Sequence, residues 1–350
     1  MKRFIAVLLA VAGVLNAGAQ TIPVKFEVKI KSKNHVQGMA IDTAARCCYL
    51  SFTTSLVKTD YEGNVLARID SINGHLGAMT FDAASKKLYA SLECKDDVIG
   101  QGIAKNLGKE VYTQAESRFY IAGFDVSGPE PVRYGLWEVT EAVNDYKTRY
   151  GCSGIDGVTI APQIGKKPGK PRLYVAYGIY GDISRRDNDH QVLLEYDLEK
   201  MKPSATALKA SEKYFIYTGN TSWGVQNLCY DAATGCIFMA CYAGKKPEFP
   251  NYTLFAVPVK QKPQNKVLRG LENDGRHPSL ELWQQGLLSS IKGLRGWRFS
   301  DACTGMCTLG DGTWFVSTPL KQWGKTQSAT VRQLRWKGGP VEVPFDEIKR

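Results

Sequence analysis

The chain has 350 residues, with 45 Lys and Arg against 34 Asp and Glu, and a formal net charge of +11. That balance first of all aids solubility, and it also suits acidic partners such as phosphates, uronic acids, nucleic acid or anionic envelope surfaces. No run of five or six consecutive like charges is present, so a nucleic-acid tail is not indicated, and beyond the N-terminus no apolar stretch is long enough to span a membrane.

The first residues have the pattern of a secretory signal peptide. Lys2 and Arg3 make a charged start, Phe4 to Leu15 is a short apolar run, and Ala17-Gly18-Ala19 offers small residues for cleavage before Gln20. Residues 1–19 are therefore read as a signal peptide and 20–350 as one β-propeller domain. The expected location is exported, periplasmic or extracellular. Removing Lys2 and Arg3 takes two charges from +11 and leaves +9. Export permits disulfides, and the nine Cys leave at least one thiol over. Cys94 and Cys152 flank predicted loops and are the pair expected to bridge.

Val24 to Ile30 alternates apolar and charged residues, the mark of a half-buried strand. It precedes the first repeat, so it is placed to pair near the C-terminus and close a ring. The repeat begins at His35-Val36-Gln37-Gly38-Met39-Ala40-Ile41-Asp42. Variants follow at His75-Leu76-Gly77-Ala78-Met79-Thr80-Phe81-Asp82, at Gly154-Ile155-Asp156-Gly157-Val158, at Gly224-Val225-Gln226-Asn227-Leu228-Cys229-Tyr230-Asp231, and at Ala302-Cys303-Thr304-Gly305-Met306. Aligned on their third residue, the units start at Gln37, Gly77, Asp156, Gln226 and Thr304.

In the first unit, strands are predicted over His35–Ile41, Cys47–Phe52, Ser55–Thr59 and Val65–Ile69, joined by Asp, Asn and Gly turns. The second repeats that spacing, then carries an insertion over Glu93–Ser117 and a short helix over Glu138–Tyr150. The third places strands at Arg172–Ala176 and Gln191–Asp197. The fourth places them at Cys236–Cys241 and Tyr252–Val257. The fifth has Thr313–Ser317, Val331–Lys337 and, as its fourth strand, Val341–Val343. Five four-stranded antiparallel units without a helical layer predict an all-β, five-bladed β-propeller. The Asp residues that end the first strands, Asp42, Asp82 and Asp231, are read as turn caps.

The copies Met39 to Phe52 and Met79 to Leu92 resemble the repeats of secreted bacterial propellers of the broad gluconolactonase/NHL/YncE-like kind. The tracts Gly154 to Val158, Ala176 to Asp182 and Tyr242 to Pro250 look like signatures of a narrower family of unknown activity. Gluconolactonase-like enzymes hold a metal with Glu, Asn and Asp at the pore mouth. Here Gln37 stands where the first of these, Glu, is expected.

In a propeller blade, the segment entering the first strand and the loop between the second and third strands share one end. That end gathers His35, Gln37, His75, Asp156, Gln226, Asn227 and Thr304, with Tyr180, Asp182, Arg185, Lys245 and Lys246 on the long loops. Function usually lies on such loops over a rigid scaffold. Oxygen-bearing Gln37, Asp156, Gln226 and Thr304 are read as a ring able to hold a cation, with Ca²⁺ or Zn²⁺ as the expected cofactor. The plainer alternative is a polar, water-filled channel. His35, His75 and Asp156 are the candidate catalytic residues, as general acid and base or as metal ligands. Gln37, Gln226, Asn227, Tyr180, Asp182, Arg185, Lys245 and Lys246 are the candidate ligand-binding residues, and Trp223, Trp297 and Trp323 are candidates to stack on a sugar.

Two functions fit these residues. One is a hydrolase or lyase, metal-assisted, acting on a phosphoester, lactone or uronate-containing saccharide. The other is a non-catalytic propeller that binds a ligand, glycan or envelope protein. A monomer acting on a small anionic molecule or saccharide is expected, without nucleic acid and without a membrane span.

Overall fold

The computed structural model describes residues 22–30, 32, 34–147, 152–179, 181–321 and 327–349. The predicted signal peptide over 1–19, Tyr180 and Trp323 lie outside the described residues.

The five predicted units are five antiparallel sheets, arranged as a five-bladed β-propeller. Blade 1 runs Gly38–Asp42, Cys47–Ser51, Leu56–Asp60 and Val65–Ile69. Blade 2 runs His75–Asp82, Lys87–Cys94, Arg118–Asp125 and Val132–Val139. Blade 3 runs Gly157–Pro162, Pro171–Gly178, His190–Asp197 and Glu212–Tyr217. Blade 4 has Thr221–Asp231, Cys236–Ala243 and Leu254–Pro258, with Trp297 bridging to Leu254 on its outer edge. Blade 5 has Met306–Thr308, Thr313–Lys321 and Gln327–Trp336.

Closure of the ring follows from the alternation at Val24–Ile30. Lys25–Lys29 pairs antiparallel with the third strand of blade 5, from Lys25 opposite Arg332 to Lys29 opposite Ser328. Phe26 and Val28 are buried and the lysines at its two ends are exposed. The first strand of the chain thus completes the last blade and covers an edge that would otherwise be open. This corrects the expected fourth strand at Val341–Val343. The N-terminal strand occupies the edge of residues 328–332, which leaves the C-terminal segment only Leu334 to Trp336, where Phe345–Glu347 pairs.

The core is divided among the blade interfaces. Side chains alternate across each strand, so one blade feeds two clusters. In blade 1, Met39, Cys48 and Leu50 pack toward Phe315, Ala329 and Val331 of blade 5. Ala40, Tyr49 and Leu56 pack the other way, against Met79, Leu88 and Ala90 of blade 2. Tyr89, Phe119 and Trp137 meet Val158, Leu173 and Val175 between blades 2 and 3. Tyr174 and Leu193 meet Leu228 and Met239 between blades 3 and 4. Phe238 and Trp297 meet Trp314 between blades 4 and 5. Being buried on both faces is therefore a requirement of the inner strands, as in Cys47–Ser51, whereas outer strands such as Val65–Ile69 expose one face.

The recurrent aspartates cap turns as expected. Asp42 Oδ1 accepts from the Ala44 and Ala45 N–H groups at 3.1 and 3.0 Å. Asp82 Oδ1 accepts from Ala84 N–H at 3.1 Å and Asp231 Oδ2 from Thr234 N–H at 2.9 Å. Two also reach the next blade: Lys86 donates to Asp42, and the Thr308 hydroxyl to Asp231.

Two insertions differ from expectation. The segment after the second strand of blade 2 holds the helix Val98–Leu107, N-capped by Asp97 and ended by Gly108 in the left-handed region. The excursion after blade 4's third strand sends Arg276–Leu280 back to lie parallel to Glu212–Tyr217, with Gln264–Val267 outside it, so blade 3 has six strands. The helix expected near residue 140 is present as Thr140–Lys147.

Candidate functional site at the axial mouth

His75 opens the innermost strand of blade 2, and Glu93 nearly ends the strand beside it. The hairpin register sets them opposite one another. Asp156 lies just before the innermost strand of blade 3. Innermost strands of neighbouring blades converge on the axis, so Asp156 reaches across to blade 2. His75, Glu93 and Asp156 thereby bring one ligand atom each to within 4.8 Å of one another.

Two glycines make this approach possible. A Cβ on Gly77 would sit 1.9 Å from Asp156 Oδ1 and 2.5 Å from Ser91 Oγ. Gly154, at φ +151°, leaves the space in which Glu93 Oε1 lies, 2.6 Å from where its Cβ would be. The carboxylates rest in a cradle that any side chain at either position would fill.

All members of the cluster are buried. His75 is 6% exposed, Glu93 1%, Asp156 8% and Lys95 7%. Lys95 Nζ sits 2.9 Å from Glu93 Oε2 and 3.1 Å from Asp97 Oδ2, and donates to the Ser153 carbonyl at 3.1 Å. The Ile155 N–H donates to Glu93 Oε1, and the Ser91 hydroxyl donates to Asp156 Oδ1 at 3.4 Å. His75 Nδ1 is 3.8 Å from Glu93 Oε2. Its Nε2 is buried with no hydrogen-bond partner among the described residues, which is the state of an imidazole open to a further ligand.

Ionisation divides the two carboxylates. Burial acts to raise Glu93, but the Lys95 ammonium and His75 outweigh it and hold Glu93 down to about 2. Burial and the Glu93 charge push Asp156 up to about 7, against His75 and Lys95. Burial lowers His75, yet Glu93 and Asp156 prevail and its net shift is upward. Two carboxylates in one buried site cannot both ionise cheaply, and the one beside the lysine keeps the charge.

Of the predicted catalytic residues, the structure joins His75 and Asp156. His35 lies apart, half-buried, with Nε2 2.9 Å from Gln37 Nε2. Among the predicted cation ligands, the Thr304 hydroxyl donates to the Ser317 carbonyl at 2.7 Å, and Gln226 Nε2 donates to the Trp223 carbonyl at 3.0 Å. Asn227 pins blades together, donating to the carbonyls of Cys303 at 2.8 Å and Gln37 at 3.3 Å.

The long loops are largely self-satisfied. Lys246 is buried and its ammonium donates to Arg185 O, Asn188 Oδ1 and Asp189 Oδ1 at 2.6 to 2.8 Å. Arg185 grips Asp187 with two bonds of 2.7 Å. Asp182 accepts from the backbone and hydroxyl of Ser184. Lys245 is exposed. Trp223 is 54% exposed and adjoins the site through Ser153, whose hydroxyl donates to its carbonyl at 2.7 Å. Trp297 is buried and donates to the Gly339 carbonyl, so it is a core residue.

All nine cysteines are free, which corrects the expected Cys94–Cys152 bridge. Cys152 is packed in the cluster between blades 2 and 3, whereas the Cys94 thiol donates to the Asn73 carbonyl.

In the sequence, Glu93 and Lys95 fall within the insertion predicted over Glu93–Ser117 and outside the candidate site. The signal was the hairpin itself: counting outward from the turn after Asp82 sets Glu93 beside His75.

No protein-family model and no curated protein matches the chain. Among solved structures it is similar to one described as the Dos1 propeller, at 8% identity and a TM-score of 0.38, covering 81% of this chain and 53% of that one. It spans about half the length of that protein. It is also similar to a putative oxidoreductase (glucose dehydrogenase) from Thermus thermophilus, at 10% identity and a TM-score of 0.38, covering 88% of this chain and 99% of that one. The class defined by the chain's own strands is a five-bladed β-propeller with a buried His-Glu-Asp-Lys cluster at its axial mouth.

Proposed function

We propose that this chain is an exported propeller that binds a small anionic molecule or saccharide at the mouth of its axial channel, through a divalent cation held by His75, Glu93 and Asp156. The observation that supports this is the convergence of those three ligand atoms within 4.8 Å, in a glycine cradle, with His75 Nε2 lacking a partner. One imidazole with two carboxylates suits Zn²⁺. Ca²⁺ prefers a larger set, roughly six to eight, of oxygen ligands. Lys95 fits the same reading. It neutralises Glu93 when no cation is bound, and it keeps Asp97 and Ser153 as partners if a cation displaces it.

Hydrolysis of a lactone or phosphoester is the second reading, and the opposite shifts of Glu93 and Asp156 favour it. A pair of acids pushed apart divides into a base and an acid. Glu93 would take a proton from attacking water while Asp156 gives one to the leaving oxygen.

Metal content and zinc titration calorimetry on protein purified without chelator test the first reading. The expected result is a single bound zinc, lost in Glu93→Gln with the fold intact. A metal-free protein whose stability ignores added Zn²⁺ and Ca²⁺ overturns it. A panel of lactones and phosphoesters tests the second: turnover abolished by Asp156→Asn supports it, and turnover unchanged by both Asp156→Asn and Glu93→Gln rejects it.

A further inference from the structure

A second cavity, of about 200 Å³, lies where the strands added to blade 3 meet the hairpin that follows blade 4. It shares no residue with the axial cluster. Its lining is mixed and mostly polar at the surface, with Phe215, Leu268 and Leu294 packed among the polar groups. Its rim is cationic. Arg269, Lys292 and Arg295 line it, and none of the three forms an ion pair among the described residues. Glu281 is the one acid in the lining, and it is already paired with Lys266. The carboxylate of Asp189, which also feels Lys292, is held by Lys246.

The rim groups are positioned rather than loose. Arg269 stacks over Tyr217 at 4.1 Å from the ring centroid and donates from Nη1 to its hydroxyl at 2.8 Å. Arg295 Nη1 donates to the Gly286 carbonyl at 3.1 Å. Lys292 holds φ at +64°, a conformation a lysine adopts only at a cost, and its ammonium lies 5.7 Å from the Phe249 ring centroid. His190 completes the wall at 4% exposure. Its Nδ1 has no hydrogen-bond partner among the described residues. Burial, with Arg269 adding to it, lowers His190 to about 4, so the imidazole is neutral and can donate or accept.

We infer that this cavity is a second binding site, for a small organic anion that carries a carboxylate or phosphate on a compact apolar body. Three rim cations that form no ion pair among the described residues call for an anion, and guanidinium groups match oxyanions in geometry. Phe215, Leu268 and Leu294 give a small apolar body surface to rest against. The volume is below the roughly 300–1,000 Å³ of drug-sized pockets, so that body must be compact. The inference is independent of the axial-mouth reading, because it uses none of the same residues.

Phenyl phosphate, benzoate and inorganic phosphate, each titrated into the full chain by calorimetry, test the site. Phenyl phosphate or benzoate is expected to bind more tightly than inorganic phosphate, and the tighter of the two identifies the anionic group. Arg269→Gln should weaken it roughly tenfold or more, the usual cost of losing a charged hydrogen bond. Lys292→Gly should weaken it too while leaving the thermal midpoint at or above that of the parent, since glycine accepts that backbone freely. Glu93→Gln should leave it unchanged. No binding of any probe, equal binding after both rim substitutions, or loss of binding in Glu93→Gln alone overturns the inference.

Discussion

Gly77 is the most searching test of the axial site, because replacing it adds a single methyl group. In Gly77→Ala the new Cβ would meet Asp156 Oδ1 at 1.9 Å and Ser91 Oγ at 2.5 Å. Real Cβ contacts are essentially never below 3.0 Å, so the carboxylate must move by more than an ångström. Its surroundings are packed, and overpacking of this kind costs roughly 1–3 kcal/mol. With about 2 °C lost per kcal/mol in a large domain, a thermal melt followed by circular dichroism resolves the loss. Zinc affinity should fall in the same variant, since Asp156 leaves its place beside His75 and Glu93. The partner measurement is Gly77→Ala in an Asp156→Ala background. Truncating Asp156 vacates the space, so the methyl group should then cost much less, and the difference is the coupling between the two positions. An unchanged melt and unchanged zinc affinity in Gly77→Ala, or an equal cost in both backgrounds, would refute the cradle.

Asp156 is raised in the folded chain, so the fold retains a proton that the unfolded chain has released. Its contribution to stability must therefore fall as pH rises from the ordinary aspartate range to about 7. Zinc affinity should rise over the same interval as the cation displaces that proton, and Asp156→Asn should flatten both profiles in paired melts and titrations. Lys246→Met leaves Asp189 buried without its cation and should cost roughly 3–5 kcal/mol in denaturant unfolding. The same change should leave zinc affinity intact, and a normal fold with weakened zinc binding would show that Lys246 serves the site directly. A thiol reagent should count nine free thiols after denaturation without reductant. A deficit of two would reveal a bridge.

Much of the site is legible in the repeats but not its membership. His75 stands out because it matches His35 in the neighbouring unit, and Asp156 because it takes the repeated third position held elsewhere by Gln37, Gly77, Gln226 and Thr304. Glu93 sits near the end of blade 2's second strand and Lys95 just past it, both outside the repeated motif. Their roles arise from hairpin pairing and from the convergence of blades 2 and 3. Thr304 and Asn227 show the converse. A polar side chain at a repeated position looks available in sequence, yet a carbonyl of its own or a neighbouring blade takes its hydrogen bond.

By itself the sequence determined the blade count, the Asp turns and the strand that closes the ring. These rest on short-range patterns: a period of two, a turn residue at a fixed offset, a repeat length. Only the tertiary structure decided that this closing strand, and not Val341–Val343, is the fourth of blade 5, that Cys94 and Cys152 stay apart, and that Lys246 is a buried strut. It also decided that Asp156 leans over Gly77 to meet His75 and Glu93. Each of these depends on which distant groups compete for the same edge, volume or charge, and that competition exists only once the blades are packed around their axis.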